Sequence, residues 1–485
     1  MVKKIPFLVF VILMVVLQSS NLSAASNVNV TPGIDTAVVA QSVEAANEAE
    51  AVQHELPAAY MVLPFIVLLL MIATGPLFYH HFWEHHYPKV SIFLGAVTVL
   101  YYILQLHDVH SLIHTSAEYI SFIALLGSLF VASGSIYIKV DKKATPWLNV
   151  VILFIGAVLA NVIGTTGASM LLIRPFIKVN QKRIKAYQII FFIFLVSNIG
   201  GALTPIGDPP LFIGFLKGVD FFWFIQNIWH IWLPTIIFLL IVFYIIDSRN
   251  KEGENEPDEY SGKIEIKGSK NVIYLLVILI SVFIDPNVLS WVPSFEPIPI
   301  GIREIIMFSV MYLAFKNADD EVLKANEFDF EPIKEVAYLF VGIFATMIPA
   351  LQLIAHEANV MGNELNAGIF FWSTGILSGF LDNTPTFINF LSAAMGKFGF
   401  DINSSAQTLT LETQHAIYLE AISVGAVFFG ALSYIGNGPN FMVKSITERA
   451  GVKMPSFFAY MVKYSIPILI PTFFLIWVIF YLGAG

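Results

Sequence analysis

Long apolar runs separated by short polar loops make up most of this chain from about residue 59 onward. Several runs are close to the length that a helix needs to cross a hydrocarbon layer of ~30 Å. These runs cover approximately residues 59–79, 90–106, 118–138, 228–246, 271–285, 297–315, 335–355 and 456–483. Two further regions, 147–219 and 366–448, are apolar but interrupted by glycine, proline and small polar residues. The pattern predicts an all-α polytopic membrane protein.

The composition agrees with lipid as the main solvent. Of the 485 residues, 57% are hydrophobic and 13% are charged, well away from the balance of a water-soluble domain. There is no cysteine, which excludes disulfides, thiolate metal sites and thiol catalysis. The net charge of −9 comes largely from tails and loops, so we infer no nucleic-acid partner. We expect neither an enzyme nor a cofactor, because no metalloprotease or serine-hydrolase motif occurs.

The first 25 residues resemble a secretory signal. Lys3 and Lys4 precede an apolar run over 5–17 and small residues at 23–25. An uncleaved anchor is the alternative, but the apolar run is shorter than a membrane span. We therefore predict a signal peptide over 1–25, followed by an acidic, flexible periplasmic segment over 26–57 that contains no lysine or arginine.

The distribution of basic residues gives the topology. If the mature chain begins outside and alternates, 20 of the 26 lysines and arginines fall in cytoplasmic loops. Those loops are 80–89, 139–146, 174–185, 247–270, 316–334 and 444–453. This asymmetry predicts a multi-pass protein of the bacterial inner (plasma) membrane with a periplasmic N-terminus and a cytoplasmic linker over 247–270.

Two segments are predicted to enter the membrane and turn back. Both ends of 147–177 are flanked by lysine or arginine, so both ends are predicted to be cytoplasmic, with a turn at Gly164. Each arm is too short to cross the bilayer but long enough to pass its midplane. The segment 366–399 has external ends and a predicted tip at 382–385. The two re-entrant hairpins would therefore enter from opposite faces.

An internal repeat supports the same arrangement. Residues 201–212 (GALTPIGDPPLF) align without a gap with 430–441 (GALSYIGNGPNF), and seven of the twelve positions are identical. Each copy lies in an interrupted helix, 186–219 or 415–448, that follows a hairpin. We predict two inverted-topology repeats, 58–246 and 271–485. The first comprises scaffold helices over 59–138, its hairpin, its broken helix and a helix at 228–246, and the second ends with a helix at 456–483.

The broken segments supply candidate ligands. Proline and glycine prevent a continuous helix, and the freed backbone groups are tolerated at mid-depth mainly where they line a cavity. Small hydroxyl, amide and carboxylate side chains nearby offer oxygen ligands to a cation. We predict a cation, proton or substrate site from Asp208, Asp382, Asn383, Thr384, Thr165, Thr166, Asn161, Ser197, Asn198, Thr204, Gly207, Ser433, Gly436, Asn437 and Asn440. A Na⁺ site is predicted among Thr165, Asp208, Asn383 and Asn437. The alternative is that these motifs are proline kinks, with Asp208 as a turn former.

Segments 161–174, 197–215, 381–390 and 425–443 resemble the ion transporter superfamily. The sequences TPIGDPP at 204–210 and YIGNGPNF at 434–441 are similar to its branch of NhaD-type sodium/proton antiporters and citrate (CitMHS-like) transporters. The resemblance covers about 60–460 and implies a scaffold, a mobile transport domain, elevator-type alternating access and commonly a homodimer. The hairpin tips depart from those of dicarboxylate carriers, which resemble Ser-Asn-Thr.

These observations predict a secondary active transporter that uses Na⁺ and H⁺ as coupling ions. Two carboxylates near one cavity would repel a di- or trianion unless they are neutralised, which favours Na⁺/H⁺ antiport. Na⁺- or H⁺-coupled citrate or dicarboxylate uptake is the alternative, and a non-transporting membrane receptor is a remote one. The expected partners are membrane lipid, a small ion or organic anion as substrate, and a second copy of the chain.

Overall fold

The computed structural model describes residues 56–252, 262–286, 288–289, 291–293 and 300–484. The predicted signal peptide and nearly all of the acidic segment 26–57 lie outside these residues. The helices are α1 Leu63–Phe78, α2 His80–Tyr101, α3 Val109–Gly134, α4 Pro146–Val179, α5 Ala186–Leu195, α6 Pro209–Leu216, α7 Trp223–Asp247, α8 Asn271–Val282, α9 Ile302–Lys316, α10 Asp320–Ala325, α11 Glu331–Met361, α12 Ala367–Ser378, α13 Asn383–Lys397, α14 Ser405–Gln414, α15 Ala416–Phe429, α16 Gly438–Arg449, α17 Phe457–Tyr460 and α18 Ile466–Ile476.

Short 3₁₀ or π segments extend or link several helices. They are Ala59–Val62, Tyr102–Leu106, Ile199–Leu203, Gly362–Glu364, Gly430–Leu432, Met461–Ser465 and Trp477–Tyr481. With these extensions, 8 helices of the described part are long and apolar enough to cross a membrane, or up to 9 if the bent pair of α14 and α15 is one span. The prediction of a polytopic helical membrane protein is confirmed.

One helix begins earlier than its apolar run. Hydropathy places a span at 90–106, whereas α2 begins at His80 and includes residues assigned to a loop. Its first turns are polar but compatible with a helix, and His85 Nδ1 lies 2.8 Å from the carbonyl oxygen of His81 one turn earlier. Hydropathy reports contact with lipid, and a helix can continue beyond the lipid into water.

Two predicted loops contain a small β-sheet, which the all-α prediction omitted. Strand β1, Tyr137–Val140, pairs antiparallel with β2, Ile264–Lys267, so that Tyr137 faces Lys267. Strand β2 alternates apolar and charged residues and is exposed along its length, whereas β1 contains one charged residue, Lys139. Strands this short, and this far apart in sequence, form only because the helices bring the two loops together.

Helix α4 doubles back at Gly164. This residue has φ 77° and ψ 155°, outside the helical region and in a region that favours glycine. The amides of Asn149 and Asn180 exchange two hydrogen bonds of 2.8 and 2.7 Å. In a straight helix these residues would lie about 46 Å apart. The element is therefore a hairpin of two arms whose tip is at Gly164.

Helices α12 and α13 form a second hairpin. Residues 379–382 connect them, and the rings of Phe370 and Phe390, one from each arm, pack edge to face with centroids 6.4 Å apart. Beyond the second arm, the ring of Phe398 stacks on His415 at 3.7 Å. Glu412, just before this histidine, accepts a 3.2 Å hydrogen bond at its carbonyl oxygen from Trp223 Nε1. The open end of the second hairpin thus lies near the beginning of α7.

The open end of the first hairpin lies at the other end of α7. There, Asp247 Oδ2 accepts a 3.0 Å hydrogen bond from Asn149 Nδ2, at the base of α4. The middle of α7 contacts the first broken segment, where Trp232 Nε1 donates to the carbonyl oxygen of Ile199 at 2.9 Å. The two hairpins therefore start at opposite ends of α7, and the break between α5 and α6 lies between those ends.

Candidate functional site

Asp208 occupies the point where the two hairpin tips and the two broken segments meet. The residue is fully buried. Its Oδ1 accepts hydrogen bonds from Thr165 Oγ1 at 2.8 Å and from Asn437 Nδ2 at 3.0 Å. Its Oδ2 accepts from Asn383 Nδ2. We call these four residues the central polar cluster. They are the four for which the sequence predicts a Na⁺ site, and the structure brings their side chains together.

Each member of the central polar cluster stands at the beginning of a half-helix. Asp208 and Asn437 are the N-caps of α6 and α16 and have extended backbone conformations. Asn383 is the first residue of α13, and Thr165 begins the second arm of α4. Helix N-termini carry unpaired N–H groups and partial positive charge. Four such ends therefore converge on one buried carboxylate.

The hydrogen-bond donors to Asp208 are all neutral. They are one hydroxyl and two amides, and among the described residues no lysine, arginine or histidine forms an ion pair with Asp208. Isolated buried charge is costly even where neutral donors surround it. The carboxylate is therefore suited to take up a proton or a small cation, whose oxygen ligands would come from the same side chains.

The glycines of the repeated sequence hold the two broken segments in the same compact shape. A Cβ added to Gly207 would lie 2.1 Å from the carbonyl oxygen of Gly201. At the equivalent place in the second copy, a Cβ on Gly436 would lie 2.5 Å from the carbonyl oxygen of Gly430. Neither position has room for a side chain. The glycines flanking each break are thus explained by close approach of backbone to backbone.

Hydroxyl side chains close each break in the same way. Thr204 Oγ1 accepts a hydrogen bond from Gly207 N, and Ser433 Oγ accepts one from Gly436 N, both at 3.1 Å. Thr204 Oγ1 also donates to the carbonyl oxygen of Asn161 at 2.6 Å, which ties the first break to the hairpin. These two hydroxyls shape the site, and neither is bonded to Asp208.

Amide side chains join the two broken segments to each other. Asn198 Nδ2 donates to Asn440 Oδ1 at 2.7 Å, and Asn437 Nδ2 donates to the carbonyl oxygen of Ser197 at 3.1 Å. Asn440 Nδ2 donates to two carbonyl oxygens of its own segment, those of Gly430 and Ser433, both at 2.9 Å. The second break is therefore fastened to the first next to Asp208.

The remaining predicted site residues lie around the central polar cluster without a hydrogen bond to Asp208. Asn161 braces the first break, because its amide donates to the carbonyl oxygen of Gly200 at 2.6 Å. Asp382 caps its own helix by accepting from Thr384 N at 2.9 Å. Thr166 lines a small cavity beside the first tip. The sequence predicted both Asp208 and Asp382 as candidates for the cation or proton step, but only Asp208 accepts hydrogen bonds from both hairpins.

Some oxygens beside Asp208 have no protein partner. Asn383 Oδ1, Thr384 Oγ1 and Asn198 Oδ1 are buried and accept no hydrogen bond among the described residues. Buried polar atoms in folded proteins nearly always have a partner, so these oxygens are candidate ligands at the site. Two of the three belong to the second hairpin tip. They would supply further oxygen ligands for a cation, or a hydroxyl donor for an anion.

An apolar wall covers the first hairpin tip, and sequence reasoning did not identify it. It is formed by α3, whose Phe122, Leu125 and Leu129 line one side of a cavity of about 20 Å³. Thr165 and Gly207 line the other side. Such a volume accommodates about one water molecule. No local sequence signal marks these side chains, because they look like ordinary membrane-helix residues until the fold sets them against the tip.

The fold and the site together define a multi-span helical membrane protein with a buried polar centre around Asp208. Comparison with protein families extends this description, because residues 53–481 match the model of the family described as "Putative citrate transport". The chain belongs to that family. No curated protein matches the chain.

Proposed function

We propose that this protein is a secondary transporter that moves citrate or a closely related carboxylate across the membrane, coupled to H⁺ or Na⁺ at Asp208. The observation that carries the proposal is the convergence of both hairpins and both broken segments on this one carboxylate through neutral donors. Membership of the citrate-transport family supports the carboxylate as substrate. Citrate was the alternative to Na⁺/H⁺ antiport on the sequence alone, and it becomes the preferred substrate.

The site around Asp208 is electrostatically suited to a carboxylate substrate when a cation is bound there. A bound proton or Na⁺ neutralises Asp208, and the four helix N-termini then leave a positive field. In the broken-helix transporters, half-helix N-termini point at anionic groups while carbonyls and side-chain oxygens coordinate the cation. Because the anion is tolerated only after Asp208 is neutralised, cation and substrate binding are coupled.

Alternating access would come from movement of the hairpins and broken helices against α3. The opposed hairpins and the repeated glycine-rich breaks support inverted repeats and an elevator-type mechanism. The contact with α3 is apolar beside the first tip, but Glu118 Oε1 of α3 also pairs with Lys217 Nζ, at the end of α6, at 2.6 Å, so this buried ion pair would have to break during such a movement. The cavity between α3 and the first tip holds about one water molecule, so entry of a tricarboxylate from this side would require the tip and α3 to separate.

Na⁺/H⁺ exchange remains a second candidate because one observation favours it. Among the described residues, no lysine or arginine is bonded to any member of the central polar cluster, whereas a site dedicated to a trianion commonly includes such a group. A small cation needs no cationic side chain. The two functions share Asp208 and differ in what moves with the cation.

Proteoliposomes distinguish the two functions. We expect labelled citrate to accumulate when an inward H⁺ or Na⁺ gradient is imposed, and to equilibrate only when the gradient is collapsed by an ionophore. Dissipation of a pH gradient by Na⁺ in the absence of any carboxylate, with no citrate accumulation, would instead establish the exchanger. Liposomes that contain no protein give the background leak.

A further inference from the structure

A basic surface cavity lies away from the central polar cluster, at the end of α7 where the open end of the first hairpin is also found. Its volume is about 580 Å³. Two aliphatic side chains line it together with Lys185, Tyr187, Arg249, Asn250, Lys453 and Tyr464. We call this the basic cavity. Its three cationic side chains come from three different loops, those after α4, α7 and α16. These residues are far apart in the sequence and lie close together only in the folded protein.

The cations of the basic cavity are only partly neutralised. Lys185 Nζ pairs with Glu252 Oε1 at 2.6 Å. Among the described residues, no carboxylate forms an ion pair with Arg249 or Lys453. The described residues therefore offer the guanidinium of Arg249 and the ammonium of Lys453 to an anion. Arginine in particular presents a planar fork of donors that matches phosphate oxygens.

The floor of the basic cavity is rigid. Asn250 Nδ2 donates to the carbonyl oxygen of Arg183 at 2.9 Å, and Arg183 Nη1 contacts the fully buried Asp247 Oδ2 at 3.2 Å. Tyr187 donates its hydroxyl proton to the other oxygen of Asp247. The polar lining is thus held by a buried network before any ligand arrives, which lowers the entropy cost of binding.

The helices beside the basic cavity expose apolar side chains. On α7, Ile241 and Ile245 are 53% and 47% exposed, and beyond α17 Val462 and Ile466 are 64% and 43% exposed. In a membrane protein, such surfaces contact acyl chains. A ligand seated here would meet cationic groups at one end and lipid-facing side chains next to them. That combination fits an amphipathic anion better than a small soluble one.

We propose that the basic cavity binds the phosphate-bearing headgroup of an anionic phospholipid, with its acyl chains along the exposed faces of α7 and α18. Basic pockets between membrane helices on the side rich in lysine and arginine are suited to such headgroups. The phosphate oxygens accept from Arg249 and Lys453, and the Tyr187 and Tyr464 rings border the site. Because α5, α7 and the π segment Met461–Ser465 all border it, a bound lipid ties the helices next to the first break to the C-terminal helices.

Native mass spectrometry of the purified full chain tests the proposal. Cardiolipin and phosphatidylcholine are each added at equal concentration, and we expect cardiolipin to remain bound preferentially. The double variant Arg249→Gln/Lys453→Gln should bind cardiolipin about tenfold more weakly, because each basic residue contributes to attraction of anionic lipid. The control Lys316→Gln/Lys324→Gln removes the same charge from exposed positions elsewhere and should bind as the unchanged protein does.

Equal loss of cardiolipin in both double variants would overturn the proposal, since it would show only general charge attraction. Displacement of cardiolipin by millimolar inorganic phosphate would also overturn it, because the cavity would then be a site for soluble phosphate. Unchanged cardiolipin binding by the variant Arg249→Gln/Lys453→Gln would also overturn the proposal. Each variant is first shown to elute as a single monodisperse species, so that loss of binding is not loss of fold.

Discussion

The two broken segments share one backbone design and differ in charge. Both hold a close glycine pair, 201 with 207 and 430 with 436, and both close the break with a hydroxyl, Thr204 or Ser433. At the N-cap that follows, the first segment has Asp208 and the second has Asn437. The shared features set the shape of the centre, and the difference at the N-cap places its charge on one carboxylate.

A second difference follows immediately after the N-cap. The first segment continues with Pro209, whereas the second continues with Gly438, and a Cβ added at Gly438 would meet nothing within 4 Å. Proline at the first position of a helix costs nothing, because the N–H there has no helical partner. Gly207 and Gly436 are therefore required by packing, and Asp208 provides the charge of the site. Packing makes no such demand at Gly438.

The largest expected effect comes from removing the charge. Asp208→Asn should lower cation-coupled citrate uptake by about 10–100-fold, because charge-assisted hydrogen bonds and the cation site are both lost. Uptake into proteoliposomes measures it. Asp220→Asn, which alters an exposed carboxylate outside the centre, should behave as the unchanged protein. If Asp208→Asn retained full uptake, the carboxylate would have no part in coupling.

The double variant Asp208→Asn/Asn437→Asp moves the charge to the other segment. Asn437 Nδ2 lies 3.0 Å from Asp208 Oδ1, so the transferred carboxylate stays within the central polar cluster. We expect uptake several-fold above that of Asp208→Asn alone. No recovery in a well-folded protein would mean that the position of the charge matters as much as its presence.

A smaller effect is expected when a second carboxylate is added without removing the first. In Asn437→Asp, two carboxylates would stand about 3 Å apart, and neighbouring carboxylates cannot both ionise easily. We expect uptake near neutral pH to fall by roughly tenfold and to recover partly as the pH is lowered, because a proton shared by the pair relieves the repulsion. The neutral variant Asn437→Ser loses the same donor and should show no such recovery. Identical pH profiles for the two variants would refute this explanation.

The smallest effect is expected at Gly438. Asn437 is extended, with φ −156° and ψ 140°, which is the conformation required before a proline. Gly438→Pro and Gly438→Ala should therefore change the free energy of unfolding by less than about 0.5 kcal/mol. Gly207→Ala, by contrast, should destabilise by about 1–3 kcal/mol or more because of backbone overlap. Thermal unfolding midpoints in detergent compare the three variants, and equal shifts would contradict the packing argument.

The sequence indicated which segments break and where they turn, because proline, glycine and lysine or arginine leave local signals. The turn at Gly164 and the breaks after 201 and 430 lie where the sequence predicts them. The start of α2 and the pairing of β1 with β2 were missed, since hydropathy reports lipid contact and does not report where a helix ends or which loops meet. The family match supports citrate as the substrate, whereas the residues alone favoured exchange of Na⁺ for H⁺.

The sequence by itself determined that this is a polytopic helical membrane protein with a duplicated glycine-rich break and one carboxylate within it, because periodicity, charge distribution and repeats are local properties. Only the tertiary structure decided that Thr165, Asn383 and Asn437 share Asp208 while Asp382 caps its own helix. Hydrogen bonds between residues some 40 to 230 positions apart depend on how helices pack, and no short stretch of sequence encodes that packing.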